Sequence, residues 1–203
     1  MRWITRDKSF YQSLFKLAIP VALQNLITFS VNFADNIMIS SLGDAAVSGV
    51  FMGNQMQTLL QMLSGGVEGA LLVLAAQYLG RGDTESMRRI SAIGVRIGSL
   101  FGALTTIVCT LFPSFILSLF TNKADIIDTG APYLFILAFS FIPFTITQSL
   151  IASARSAENA RIGLYVSLAS LISNITLNYI LIYGKLGLPA MGIKGAALAT
   201  LIS

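Results

Sequence analysis

Long apolar runs separated by short polar turns dominate the chain. A helix needs ~20 largely apolar residues to cross a bilayer. Six runs approach that length: 14–40, 46–79, 90–119, 126–154, 162–183 and 193–203. The last holds only about ten residues, roughly half a span. The pattern predicts an all-α polytopic membrane protein, read as a piece that has lost its C-terminal part. The connections carry breakers: Ser41 to Asp44, Gly80 to Asp83, Thr121 to Lys123, and Gly184 to Gly192 with Pro189. Asp83 or Thr84 is placed to cap the third helix. Pro20, Pro132 and Pro143 fall in or near spans, where proline frees carbonyls and permits bends.

Polar residues inside these runs fall into lines. Asp35 lies in the first span with Asn32, Thr28, Asn25 and Gln24. A charged side chain at mid-bilayer costs ~3 kcal/mol or more, so it normally faces protein or a wet cavity. A simpler reading makes Asp35 a cap near the end of its helix, although Gly43 is two turns away. In the second span, Asn54, Gln57, Gln61, Gly65 and Glu68 recur at steps of three and four, so they share a face. That face suits either a solute-lining cavity or hydrogen bonds between helices. Ser167, Ser170, Asn174 and Asn178 share a face of the fifth span. Their oxygens suit a hard cation, and they suit interhelical bonding equally. Gly94, Gly98 and Gly102, four apart, form a small-residue face for close helix packing.

Composition narrows the class. The chain is 55% hydrophobic and 11% charged, where soluble domains carry about 25% charge. A net charge of +4 would fit nucleic acid, but the basic residues flank the spans instead. Arg2, Arg6, Lys8, Lys16, Arg81, Arg88, Arg89, Arg96, Arg155 and Arg161 fall on one side of a six-span topology, against Lys123, Lys185 and Lys194. The positive-inside rule then places the N-terminus in the cytoplasm, with the chain in the cytoplasmic membrane. Cys109 is the single cysteine and histidine is absent. That excludes a disulfide framework and a Cys/His zinc site, and removes the usual catalytic base. No phosphate-binding loop occurs, so no nucleotide cofactor is expected. Any transport would draw on an ion gradient or a partner subunit.

Three stretches together resemble the multidrug and toxic compound extrusion (MATE) family of secondary transporters. They are Asn32 to Gly43, Ala76 to Asp83, and Asn174 to Gly184 followed by Gly192 to Thr200. Pro20 after Ala18 and Ile19, and the turn from Arg155 to Asn159, also fit. The resemblance covers the whole chain. It implies one six-helix lobe, the N-terminal one, of a twelve-helix transporter with pseudo-twofold symmetry. The other lobe would be the missing partner. The implied activity is export of small organic cations in exchange for Na⁺ or H⁺ across the lipid bilayer. Asp35 would be the coupling acid, with Asn174 and Thr200 as further ligands of a possible Na⁺. Asn178 stands where some members carry a second acid, which leaves one carboxylate in the site. Outside the resemblance, the polar lines themselves offer Asn32, Gln57, Gln61 and Glu68 as lining of the substrate cavity, and Glu68 matches no family pattern.

Two other readings compete. A lipid flippase of the same superfamily would line its cavity with basic residues, whereas the intramembrane charges here, Asp35 and Glu68, are acidic. A non-transporting scaffold would use the amide lines for packing alone.

Overall fold

In a computed structural model of the protein, residues 8–203 are described; Arg2 and Arg6 of the basic tally lie outside them. Eight helices follow one another among the described residues. They are α1 (Lys8–Ser40), α2 (Asp44–Gly80), α3 (Thr84–Leu111), α4 (Pro113–Ser118), α5 (Ala124–Ala138), α6 (Phe141–Ser156), α7 (Arg161–Tyr183) and α8 (Ile193–Ile202). By length and apolarity α1, α2, α3 and α7 can each cross a membrane. The pair α5 and α6, bent by 51°, makes a fifth crossing as one broken span. The ten-residue α8 is apolar but short.

The ends of these helices follow local chemistry. Asp83 caps α3, its carboxylate accepting from Ser86 N at 2.9 Å. Hydrogen bonding from the Ser86 side chain, and then from its backbone N–H, holds the Asp83 carboxyl below the usual range. At the far end of α7, Gly184 takes a left-handed conformation (φ 66°) and donates to Ile180 O. Glycine does this without the steric penalty a Cβ brings.

Two expected spans are not continuous. The helix predicted over 90–119 ends at Leu111, and α4 starts afresh at Pro113. Proline disfavours helical geometry in the residue before it, and Phe112 is non-helical, with φ −131° and ψ 48°. The helix predicted over 126–154 breaks between α5 and α6 at Phe139 and Ser140. Pro143 has no N–H to give the carbonyl of Phe139 one turn earlier. The chain tightens there: Phe139 N donates to Ile136 O and Ser140 N to Leu137 O. Hydroxyls complete the corner. Thr106 Oγ1 on α3 donates to Ala138 O at 2.8 Å, and Ser140 Oγ donates to Leu137 O at 2.7 Å. In hydrocarbon such a break persists only where side chains take up the freed backbone groups. Pro20 and Pro132, by contrast, lie within continuous helices.

Helices α2, α3, α5 and α6 pack on one another as a bundle. Leu60, Cys109, Leu134, Leu137 and Phe141 form its centre. Glycines set the spacing. A Cβ at Gly102 would lie 2.5 Å from Thr145 Oγ1 and 2.8 Å from Phe141 O, both on the broken span. A Cβ at Gly49 on α2 would lie 2.9 Å from Gly130 N on α5. Helix α1 runs along α7 and touches the bundle little; α8 bridges α7 to α5.

Two outcomes follow for the thermal unfolding of purified protein in detergent. Gly102→Val forces the α3 and α6 backbones apart and should cost about 1–3 kcal/mol, whereas Gly66→Ala, with open space around it, should leave the midpoint unchanged or raise it. Glu158, in the turn after α6, holds φ at 58°. An L side chain there costs up to about 1 kcal/mol, so Glu158→Gly should raise the midpoint.

Candidate functional site

Asp35 is half-buried on α1, facing α7. Its Oδ1 accepts from Asn178 Nδ2. The same Nδ2 donates to Asn174 Oδ1 at 2.9 Å, one turn back along α7. The three residues therefore form one hydrogen-bonded chain from carboxylate to amide to amide. Asn174 and Asn178 are buried completely. The helical period on α7 explains the register: residues four apart stack on one face. Since α1 packs along α7, the acid meets the Asn178 amide, which in turn meets Asn174.

The chain is incomplete. Asn178 Oδ1 and Asn174 Nδ2 are buried and have no partner. A buried polar atom without a partner costs about 1–3 kcal/mol. Here an acceptor and a donor are both left over, beside a carboxylate. This arrangement can receive a small cation at its oxygens, or a proton on Asp35.

A second pair adjoins it. Tyr133 on α5 is buried, and its hydroxyl donates to Asn54 Oδ1 on α2 at 2.7 Å. The Tyr133 ring packs where Gly53 has no side chain; a Cβ there would lie 2.8 Å from its Cδ1. Sequence reading missed Tyr133. A tyrosine in an apolar span needs a partner for its hydroxyl, and that was the available signal.

The other expected site residues are dispersed. Thr200 gives its hydroxyl to Ala196 O within α8 at 3.1 Å and does not join the Asp35 chain. Asn32 and Gln61 are exposed, and Gln57 is half-buried. Glu68 is half-buried farther along α2. The amide line on α2 is thus split: Asn54 is tied to Tyr133, Gln61 faces outward, and Glu68 lies half-buried beyond it.

The profile of the MatE family matches residues 20–180. The chain is 32% identical over 192 residues to a probable multidrug resistance protein NorM of Rhizobium meliloti, covering 95% of this chain and 41% of that protein. A probable NorM of Thermotoga maritima is 28% identical over 193 residues, at 95% and 41% coverage. Among solved structures, the Vibrio cholerae MATE transporter VcmN in its bent form superposes with a TM-score of 0.86 at 21% identity. That match covers 96% of this chain and 43% of that one. The chain thus spans about two-fifths of the length of these relatives. Its fold is that of one lobe of a twelve-helix transporter, with the sixth helix short. The family match, reinforced by a buried polar chain inside apolar spans, makes this multi-pass membrane protein a member of the MatE family.

Proposed function

We propose that the chain is the ion-coupling lobe of an antiporter that exports small organic cations. The observation that carries this reading is the Asp35–Asn178–Asn174 chain with its two unpartnered atoms. An ionised Asp35 attracts a cation, and in a low-dielectric span that attraction is strong. The coupling ion, H⁺ or Na⁺, and the cationic substrate each neutralise the same carboxylate. Only one of them is held at a time.

Exchange follows from that exclusion. Arrival of the coupling ion removes the charge that holds the substrate, and the substrate leaves. With Na⁺, the unused Asn178 Oδ1 and the carboxylate supply hard oxygen donors. With H⁺, the protonated Asp35 can itself donate to an amide oxygen. Either event biases α1 against α7, because the bond between Asp35 and Asn178 is their polar tie at this level. A bound species shifts such an equilibrium only through its different affinity for the two states.

Asn32, Gln57 and Gln61 are read as cavity lining, completed by a second lobe. The end of the lobe that carries Arg81, Arg88, Arg89, Arg155 and Arg161 faces the cytoplasm in this reading.

The test is gradient-driven efflux of an organic cation by the full-length protein in proteoliposomes. Asp35→Asn keeps the shape and removes the charge. It should reduce efflux at least tenfold, and efflux at the wild-type rate would overturn the reading.

A further inference from the structure

A cavity of about 450 Å³ lies at the end of the lobe where the basic residues gather. Its walls come from the first half of α1, the end of α2 and the end of α6. Leu17, Leu72, Ala76 and Leu79 supply apolar surface, while Arg155 and Glu158 supply charge. The volume falls among small-molecule sites, which run ~300–1,000 Å³. The cavity is separate from the Asp35 site. Arg155 is held by Gln24, and eleven residues of α1 lie between Gln24 and Asp35, about 16 Å of helix.

The guanidinium is fixed before any ligand arrives. Arg155 Nη2 donates to Gln24 Oε1 at 2.7 Å. Gln24 is only 5% exposed. A Cβ at Gly163 would lie 2.5 Å from its Oε1, so the glycine leaves the room in which this amide sits. A neutral amide takes a hydrogen bond but neutralises no charge. Among the described residues the ion pair present is Arg89 with Glu85, so no carboxylate sits on Arg155. Its Nε is also buried without a partner. Positive charge and donors are in excess here, and the fork of a guanidinium matches phosphate oxygens.

Glu158 borders the same cavity with the opposite sign. It is exposed, makes no ion pair, and keeps φ at 58°, where residues other than glycine are uncommon. A purely basic pocket would suit any anionic headgroup. With Glu158 in the wall, further negative charge is disfavoured and a cation next to the phosphate is favoured. The apolar walls run to the ends of α2 and α6, the level at which acyl chains meet headgroups.

We propose that this cavity binds a phospholipid whose headgroup carries a phosphate and a primary ammonium, as in phosphatidylethanolamine. The phosphate lies against the Arg155 guanidinium, and the ammonium donates to the Glu158 carboxylate. An acyl chain runs along Leu17, Leu72 and Leu79. Gln24 is a positioning residue: it aims Arg155 and touches no lipid. The lipid is a resident of the lobe rather than its cargo, so the proposal does not rest on the antiporter reading.

Native mass spectrometry of the full-length protein reads lipid retention and needs no transport. The protein is equilibrated in detergent with equimolar phosphatidylethanolamine, phosphatidylcholine and phosphatidylglycerol of identical acyl chains. Choline offers no N–H to Glu158, and phosphatidylglycerol brings no cation. Wild type should retain phosphatidylethanolamine at least threefold over either of the others. Glu158→Gln, which keeps the backbone and removes the charge, should abolish that excess. Arg155→Gln should abolish it too, as should Leu72→Trp, which fills the cavity and alters no charge. Equal retention of the three lipids by the wild type, the result expected if another part of the full-length chain occupies the cavity, overturns the proposal. An excess that survives Glu158→Gln or Leu72→Trp overturns it equally.

Discussion

The hydrocarbon of a bilayer offers no water to a stray polar group, and the structure is organised by that constraint. Each backbone or side-chain polar group in a span must find a partner inside the protein. Most do so within their own helix, as Thr28, Thr110 and Thr176 do by bonding carbonyls one turn back. The corner between α5 and α6 needs help from another helix, and Thr106 supplies it. Against that background of satisfaction, the few buried atoms without partners stand out. Asn174 Nδ2 and Asn178 Oδ1 lie together beside Asp35, while Arg155 Nε on α6 and Ser64 Oγ on α2 lie apart from them. Unfinished hydrogen bonding is where a ligand or a change of partner has something to gain.

Packing decides which parts can respond. The bundle of α2, α3, α5 and α6 is pinned by glycine contacts too close for any side chain, at Gly49 with Gly130 and at Gly98 and Gly102 with α6. Packed surfaces of this kind resist continuous deformation. Helix α1 has no comparable grip on the bundle. It leans along α7, tied to it by Asp35 with Asn178 and by Tyr183, whose hydroxyl donates to Met38 O, while Gln24 is tied to Arg155 on α6. In the proposed mechanism, a charge change at Asp35 acts on the position of this one helix without unpacking the core.

Much of this was legible in the residues. Apolar run lengths located the spans, because hydrocarbon thickness sets helix length. The four-residue step from Asn174 to Asn178 and the charge of Asp35 pointed to the trio that the structure joins. What the sequence hid was local competition and three-dimensional proximity. Pro113 and Pro143 divided two spans that hydropathy ran together. Thr200 satisfied its hydroxyl within its own helix. Tyr133 carried no mark in its own span and Arg155 read as a flanking charge, and only tertiary packing brought them to Asn54 and Gln24. Periodicity along one helix ranks faces, but it does not say which helix each face meets.

The central claim is that coupling ion and cationic substrate exclude each other at Asp35. Equilibrium binding of tetraphenylphosphonium to the purified full-length protein tests it without any gradient. Proton and Na⁺ concentrations are varied in turn, in wild type and in Asp35→Asn. The account predicts that the apparent Kd rises with at least one of the two ions, and that this dependence disappears with the carboxylate. A Kd indifferent to both ions in the wild type, or a dependence that survives in Asp35→Asn, would contradict it.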